Sequence, residues 1–159
     1  YDPIDNQYTS LVSVDDFRQK CLYIPDTYCR QSSLATVADL DKMEGHKFEH
    51  YCADLLRDNG FLDVEVTQES GDHGVDILAR KDDITYAIQC KCYSSNSVGN
   101  DAVQQANAGK SIYEKDIAVV LTNQYFTQQA KDEATHLGVK LWDRNKLRQF
   151  IEHSNAKKK

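Results

Sequence analysis

At 159 residues, with 28% charged and 40% hydrophobic side chains, the chain has the composition of an ordinary globular domain and length enough for one well-buried core. No apolar run approaches the roughly 18 residues that a membrane helix requires, and no charged-apolar-small leader pattern opens the sequence. A formal net charge of −6 argues against a surface that holds nucleic acid everywhere by counterion release, but not against an acidic cleft with basic residues on its rim.

Tyr1 in place of an initiator Met is expected of a piece of a longer protein. Residues 1–36 hold both prolines, Pro3 and Pro25, and no sustained periodicity, so they read as an N-terminal extension with one short helix at VDDFRQKCL. A folded domain is expected over 37–153. Within it, Asp41 and Glu44 read as a capping pair for a helix with apolar positions Phe48, Tyr51, Cys52, Leu55 and Leu56, ending at Asn59-Gly60.

A strand around Val64 to Thr67 follows, and then two β-rich runs, Gly74 to Arg80 and Ile84 to Cys92, flank Lys81-Asp82-Asp83. That pattern predicts an antiparallel hairpin. Beyond the loop SSNSVGN, Asn100 reads as the cap of a helix running to about Tyr113. DIAVVLT (116–122) has the length of a buried strand, Thr127 starts a helix stopping at Gly138, VKLWD is a short strand, and Arg144 to His153 a closing helix. Residues 154–159 read as a basic tail. The sum is an α/β fold, a mixed sheet with helices packed on it.

The hairpin carries the chemistry. With an Asp82-Asp83 loop, Lys81 faces Ile84, and stepping back along both strands sets Asp76 opposite Gln89. Alternation then puts Gln89 and Lys91 on one face, with Ile84, Tyr86, Ile88 and Cys90 on the other, towards a core. Opposed residues have Cβ atoms about 4.5–5.5 Å apart, close enough for two oxygen groups to grip one small cation. A carboxylate, a second oxygen ligand and a lysine at one point suit a magnesium-dependent phosphodiester hydrolase; the bland alternative is a solvated strand face that happens to be polar.

The five cysteines, Cys21, Cys29, Cys52, Cys90 and Cys92, are odd in number and form no C-x-x-C. They read as reduced thiols of a cytoplasmic protein, and Cys90-x-Cys92 as core-facing rather than as a soft-metal site.

GHKFEHYCADLLRDNGF, SGDHGVDIL, IQCKCY, VGNDAVQQ, VVLTNQYFT and KLWDRNKL, in that order between about Asp41 and Glu152, resemble the Mrr-like branch of the PD-(D/E)xK nuclease superfamily. The resemblance implies a restriction-endonuclease-like mixed sheet flanked by helices, with an α-β-β-β-α-β core. It implies that Asp76 is the metal aspartate, that Gln89 stands where most of the superfamily has Glu or Asp, and that Lys91 is the motif lysine. Glu49 would be a further acidic group brought from the first helix, and the main-chain carbonyl of Cys90 another metal ligand. Gln104 is a candidate for reaching phosphate or water, with a packing role equally open, while Asp72 and His73 read as loop residues before the strand.

The implied function is a magnesium- or manganese-dependent DNA endonuclease of the restriction or defence kind. It would work as a homodimer, with a target-recognition or anchoring region outside this chain. A catalytically silent nucleic-acid-binding or interaction module, or a repair nuclease such as a junction resolvase, are the alternatives.

Overall fold

The structure is a computed structural model and describes residues 36–67 and 74–158. The chain divides into two units, Tyr1–Leu34 and Ala35–Lys159, and all described residues belong to the second. The helix expected at VDDFRQKCL, like Asp72 and His73, lies outside the described residues.

The element order is α1 (Val37–Leu40), α2 (Gly45–Asp58), β1 (Leu62–Val66), β2 (Ile77–Lys81), β3 (Ile84–Lys91), α3 (Asn100–Tyr113), β4 (Ile117–Thr122), α4 (Gln128–Leu137), β5 (Lys140–Trp142) and α5 (Arg144–Lys157). The strands form one sheet in the order β1-β2-β3-β4-β5. The first three are antiparallel neighbours, whereas β3, β4 and β5 run parallel. The mixed sheet expected from the sequence is therefore present. Among the described residues no helix is long and apolar enough to cross a membrane.

The β2–β3 hairpin forms in the expected register, Lys81 with Ile84 through Ile77 with Ile88. Asp82 and Asp83 both take left-handed backbone, at φ 53° and 66°, as a two-residue turn matched to strand twist requires. Aspartate accepts that conformation more readily than most residues because its short side chain bonds locally.

Two cores lie on opposite faces of the sheet. One joins α2 and α5 to Ile77, Ala79, Ile88, Cys90, Val119 and Leu121, and the other joins α3 and α4 to Ala118 and Val120. Period-2 alternation in the shared strands produces this division. Phe48, Cys52, Leu55 and Leu56 of α2 are all buried in the first core, each large apolar side chain contributing about 1.5–3 kcal/mol over its exposed state. Ile84, expected on the core face, is 37% exposed, because it sits at the hairpin tip beyond the reach of the helices.

The helix ends follow local chemistry in part. Thr127 caps α4 through its hydroxyl, which accepts from the Ala130 N–H, and Gly138 closes that helix at φ +74°. Asp41 and Glu44 do not form the expected capping pair: Glu44 is the N-cap of α2 with no side-chain bond, and Asp41 is held by Arg144 and Asn123. A charged partner outbids the backbone for that carboxylate. Asn100 is the first residue of α3 rather than its cap, which is Gly99. Helix α5 continues through the expected tail to Lys157, where Ser154 donates to Asp58 and Lys157 donates to the Asp58 carbonyl.

Candidate active site

At its N-terminal end β2 parts from the hairpin ladder, and the parting makes the site. The Asp76 N–H donates to the Ile88 carbonyl at 2.8 Å, and the Asp76 carbonyl accepts from the Thr67 N–H at 2.9 Å. Two residues further along β3, the Cys90 N–H meets no main-chain carbonyl of β2; it donates to the Asp76 carboxylate, Oδ2, at 2.8 Å. Gln89 Nε2 donates to the same oxygen at 3.1 Å and to the Cys90 carbonyl at 3.4 Å. Asp76 and Gln89 are each 7% exposed, so these contacts form largely away from solvent.

Gly74 fixes the approach of this segment to α3. Its φ is +80°, and a Cβ added there would lie 2.9 Å from the Gln105 carbonyl oxygen. Only glycine meets both demands without displacing the backbone that leads to Asp76.

Gln89 Oε1 is, among the described residues, the single buried side-chain nitrogen or oxygen with no hydrogen-bond partner. Such an atom costs about 1–3 kcal/mol unless something satisfies it, and a hard cation is a suitable partner because it prefers oxygen ligands. Among the described residues no group of three His, Cys, Asp or Glu is arranged to hold a metal. The Gln89 amide turns its nitrogen to both Asp76 and the Cys90 carbonyl; rotated by half a turn it would bring its oxygen to that same point, where a cation would draw on the Asp76 carboxylate, the Gln89 amide oxygen and the Cys90 carbonyl together. This donor set is mostly neutral, and it fits magnesium or manganese better than a thiophilic ion.

Lys91 ends β3 and is half-buried. Strand alternation sets it on the face of Gln89, opposite Cys90, whose side chain joins the α2 core. Its ammonium forms no hydrogen bond or ion pair with another described residue. Glu49 stands on α2 with its side chain 22% exposed, and its Oε1 lies 3.6 Å from His46 Nδ1. Its helix packs on the sheet face that holds the Cys90 side chain. That thiol is pushed up first by its hydrogen bond with Cys52, then by burial, and then by the charges of Cys52, Asp76 and Glu49. Gln104 donates to Glu133 on α4 at 2.7 Å, and Asn100 donates to the other oxygen of that carboxylate at 3.0 Å. Those two bonds, Asn100's foremost, hold the Glu133 carboxyl below its usual range.

A second polar cluster adjoins the end of β3, and sequence reasoning missed it. Asn123, wholly buried, accepts from the Tyr93 N–H at 3.0 Å and donates to the Tyr93 carbonyl at 2.8 Å and to Asp41 at 2.9 Å. Arg144 donates to both oxygens of Asp41, at 2.8 and 3.1 Å, and to the Asn123 carbonyl at 2.7 Å. The available signal was an amide directly after the buried run VVLT, where such a residue normally reads as a turn.

The restriction endonuclease family model, of the Mrr catalytic type, matches residues 40–151. No curated protein matches the chain. Among solved structures, a protein of unknown function, AF1548, superposes with a TM-score of 0.52 at 23% identity, covering 60% of this chain and 55% of that one. The DNA modification-dependent restriction endonuclease AspBHI superposes with a TM-score of 0.56 at 19% identity, covering 81% of this chain and 41% of that one. The chain thus spans about half the length of these structures, which share its fold. With the family model matching 112 of its 159 residues, from 40 to 151, the chain belongs to the Mrr-type restriction endonuclease family.

Proposed function

We propose that this domain is a divalent-metal-dependent endonuclease that hydrolyses DNA phosphodiester bonds in restriction or defence. The observation that carries the reading is the meeting of Asp76, Gln89 and the Cys90 main chain where the ladder opens, with one buried amide oxygen left unsatisfied. Asp76, Gln89 Oε1 and the Cys90 carbonyl would hold magnesium, or manganese in its place, with Glu49 acting through a water. Bound there, the ion supplies positive charge against the scissile phosphate and acidifies the attacking water.

The chain's own groups do the rest. The Lys91 ammonium orients the water and offsets charge that grows on the phosphorane-like transition state. Because the Gln89 amide brings an oxygen but no charge, Glu49 supplies the second negative charge that a two-carboxylate site would carry. Burial of Asp76 and Gln89 excludes bulk water from the ligands and strengthens each electrostatic contact. DNA is the substrate in this reading, and a homodimer would cut both strands by placing one site on each. Target choice would lie with a region outside this chain.

The test incubates the full chain with supercoiled plasmid, modified and unmodified, with and without magnesium, beside Asp76→Ala. Magnesium-dependent nicking by the wild type alone supports the reading. Nicking that persists in the mutant overturns it, and DNA binding without cleavage favours a silent module.

A further inference from the structure

We infer that Asn123 is a positioning residue for Lys91, an inference that rests on the catalytic role proposed for that lysine. The parallel ladder between β3 and β4 ends at the pair Lys91 with Thr122. One residue later, just past the end of β3, the side chain turns to a different neighbour: Cys92 Sγ lies 3.5 Å from both the Leu40 and the Met43 carbonyls. One residue later still, both main-chain polar groups of Tyr93 are taken by the Asn123 amide, at 3.0 and 2.8 Å. The amide thus supplies the acceptor and donor that a continued strand would have offered, and the chain leaving Lys91 is tied on both sides.

The tie is itself over-determined. Asn123 uses its second amide hydrogen on Asp41 at 2.9 Å, and its own carbonyl accepts from Arg144 at 2.7 Å. Gln124 Nε2 adds a second donor to the Tyr93 carbonyl at 2.8 Å. Every hydrogen-bonding position of the Asn123 side chain that the geometry offers a partner is filled, so the amide cannot rotate without breaking several bonds at once. Lys91, by contrast, has no polar contact with a described residue. Its ammonium is placed by its backbone and packing, and beyond the weak thiol contacts of Cys92 that backbone is anchored by the Asn123 amide. A catalytic group displaced by about 1 Å can lose on the order of a hundredfold in rate, so the anchor bears on turnover as well as on folding.

The test measures single-turnover nicking of supercoiled plasmid by the full chain, and magnesium binding by titration calorimetry without DNA. Asn123→Ala is expected to slow nicking by about 10–100-fold. Its magnesium affinity should stay near wild type, because Asp76, Gln89 and the Cys90 carbonyl precede the anchor. In a Lys91→Ala background the same replacement should change the residual rate by less than about twofold, since its effect passes through the lysine. A merely structural role would lower magnesium affinity as well and would multiply the loss in both backgrounds; either result overturns the proposal, as does wild-type nicking by Asn123→Ala. Should that variant fail to fold, Gln124→Leu removes one of the two donors to Tyr93. It should then show a smaller loss that also vanishes without Lys91, and a loss that persists there overturns the proposal. A wild type that does not nick, or an Asp76→Ala that does, removes the catalytic reading itself and the proposal with it.

Discussion

Gln89 gives its amide nitrogen to Asp76 at 3.1 Å and keeps its buried oxygen unbonded. In the proposed site this arrangement would split the work of two carboxylates between a charged residue and a neutral one. Glu49 should consequently be the less replaceable of the two auxiliary groups. Glu49→Gln is expected to lower magnesium-dependent nicking by about 10–100-fold, whereas Gln89→Glu should leave it largely intact. Equal tolerance of both changes would contradict the compensation.

Gly74 offers a test of the segment rather than of the ligands. An added methyl would lie 2.9 Å from the Gln105 carbonyl, at a φ of +80°. Gly74→Ala should therefore lower stability by about 1–3 kcal/mol and reduce nicking through the displacement of Asp76. A thermal melt matching wild type would show that the loop accommodates the side chain.

The clasp of Asp41 and Arg144 predicts a pH dependence of stability. Arg144's hydrogen bond holds the Asp41 carboxyl below its usual range, with a further contribution from Asn123 and against the opposing effect of burial. Because the folded-state value is depressed, the stabilisation is complete above the unfolded value of about 3.9 and is lost as pH falls through the folded one. Arg144→Ala should cost about 1–3 kcal/mol at pH 7, discounted for partial exposure of the pair. In urea melts that difference should shrink at pH 3. A gap that is constant with pH would assign Arg144's contribution to packing alone.

The strand thiols should be sluggish. Burial pushes the Cys92 thiol up to about 11, and the Cys90 thiol is also raised, first by its bond with Cys52. Both are then almost wholly protonated at pH 8, and the thiolate is the reactive form. Iodoacetamide at pH 8 should label them far more slowly in the native protein than in urea, as mass spectrometry of the peptides would show. Equal rates would mean that the β3 end opens readily.

Much of the fold was legible because the governing signals are local. The two-residue turn at Asp82-Asp83 fixed the hairpin register, and through it the faces of Asp76, Gln89 and Lys91. Thr127 and Gly138 marked the ends of α4 by their own side chain and backbone. What escaped depends on distant partners. Asp41 looked like a cap because its partner Arg144 lies 103 residues away. Gln104 left a phosphate-reaching and a packing role equally open in the sequence, and no local signal marks its partner Glu133 on a neighbouring helix. The tail beyond His153 stayed helical because Asp58 meets Ser154 and Lys157 there. Ile84 carried the right phase for the core and lay too near the turn to enter it.

The most direct measurement is anomalous diffraction from crystals soaked in manganese, which binds oxygen ligands as magnesium does. We expect one strong peak at about 2 Å from an Asp76 oxygen, Gln89 Oε1 and the Cys90 carbonyl, on the sheet face that carries Lys91. A peak that shares none of these ligands, or no peak at the opening of the β2–β3 ladder, would contradict the account.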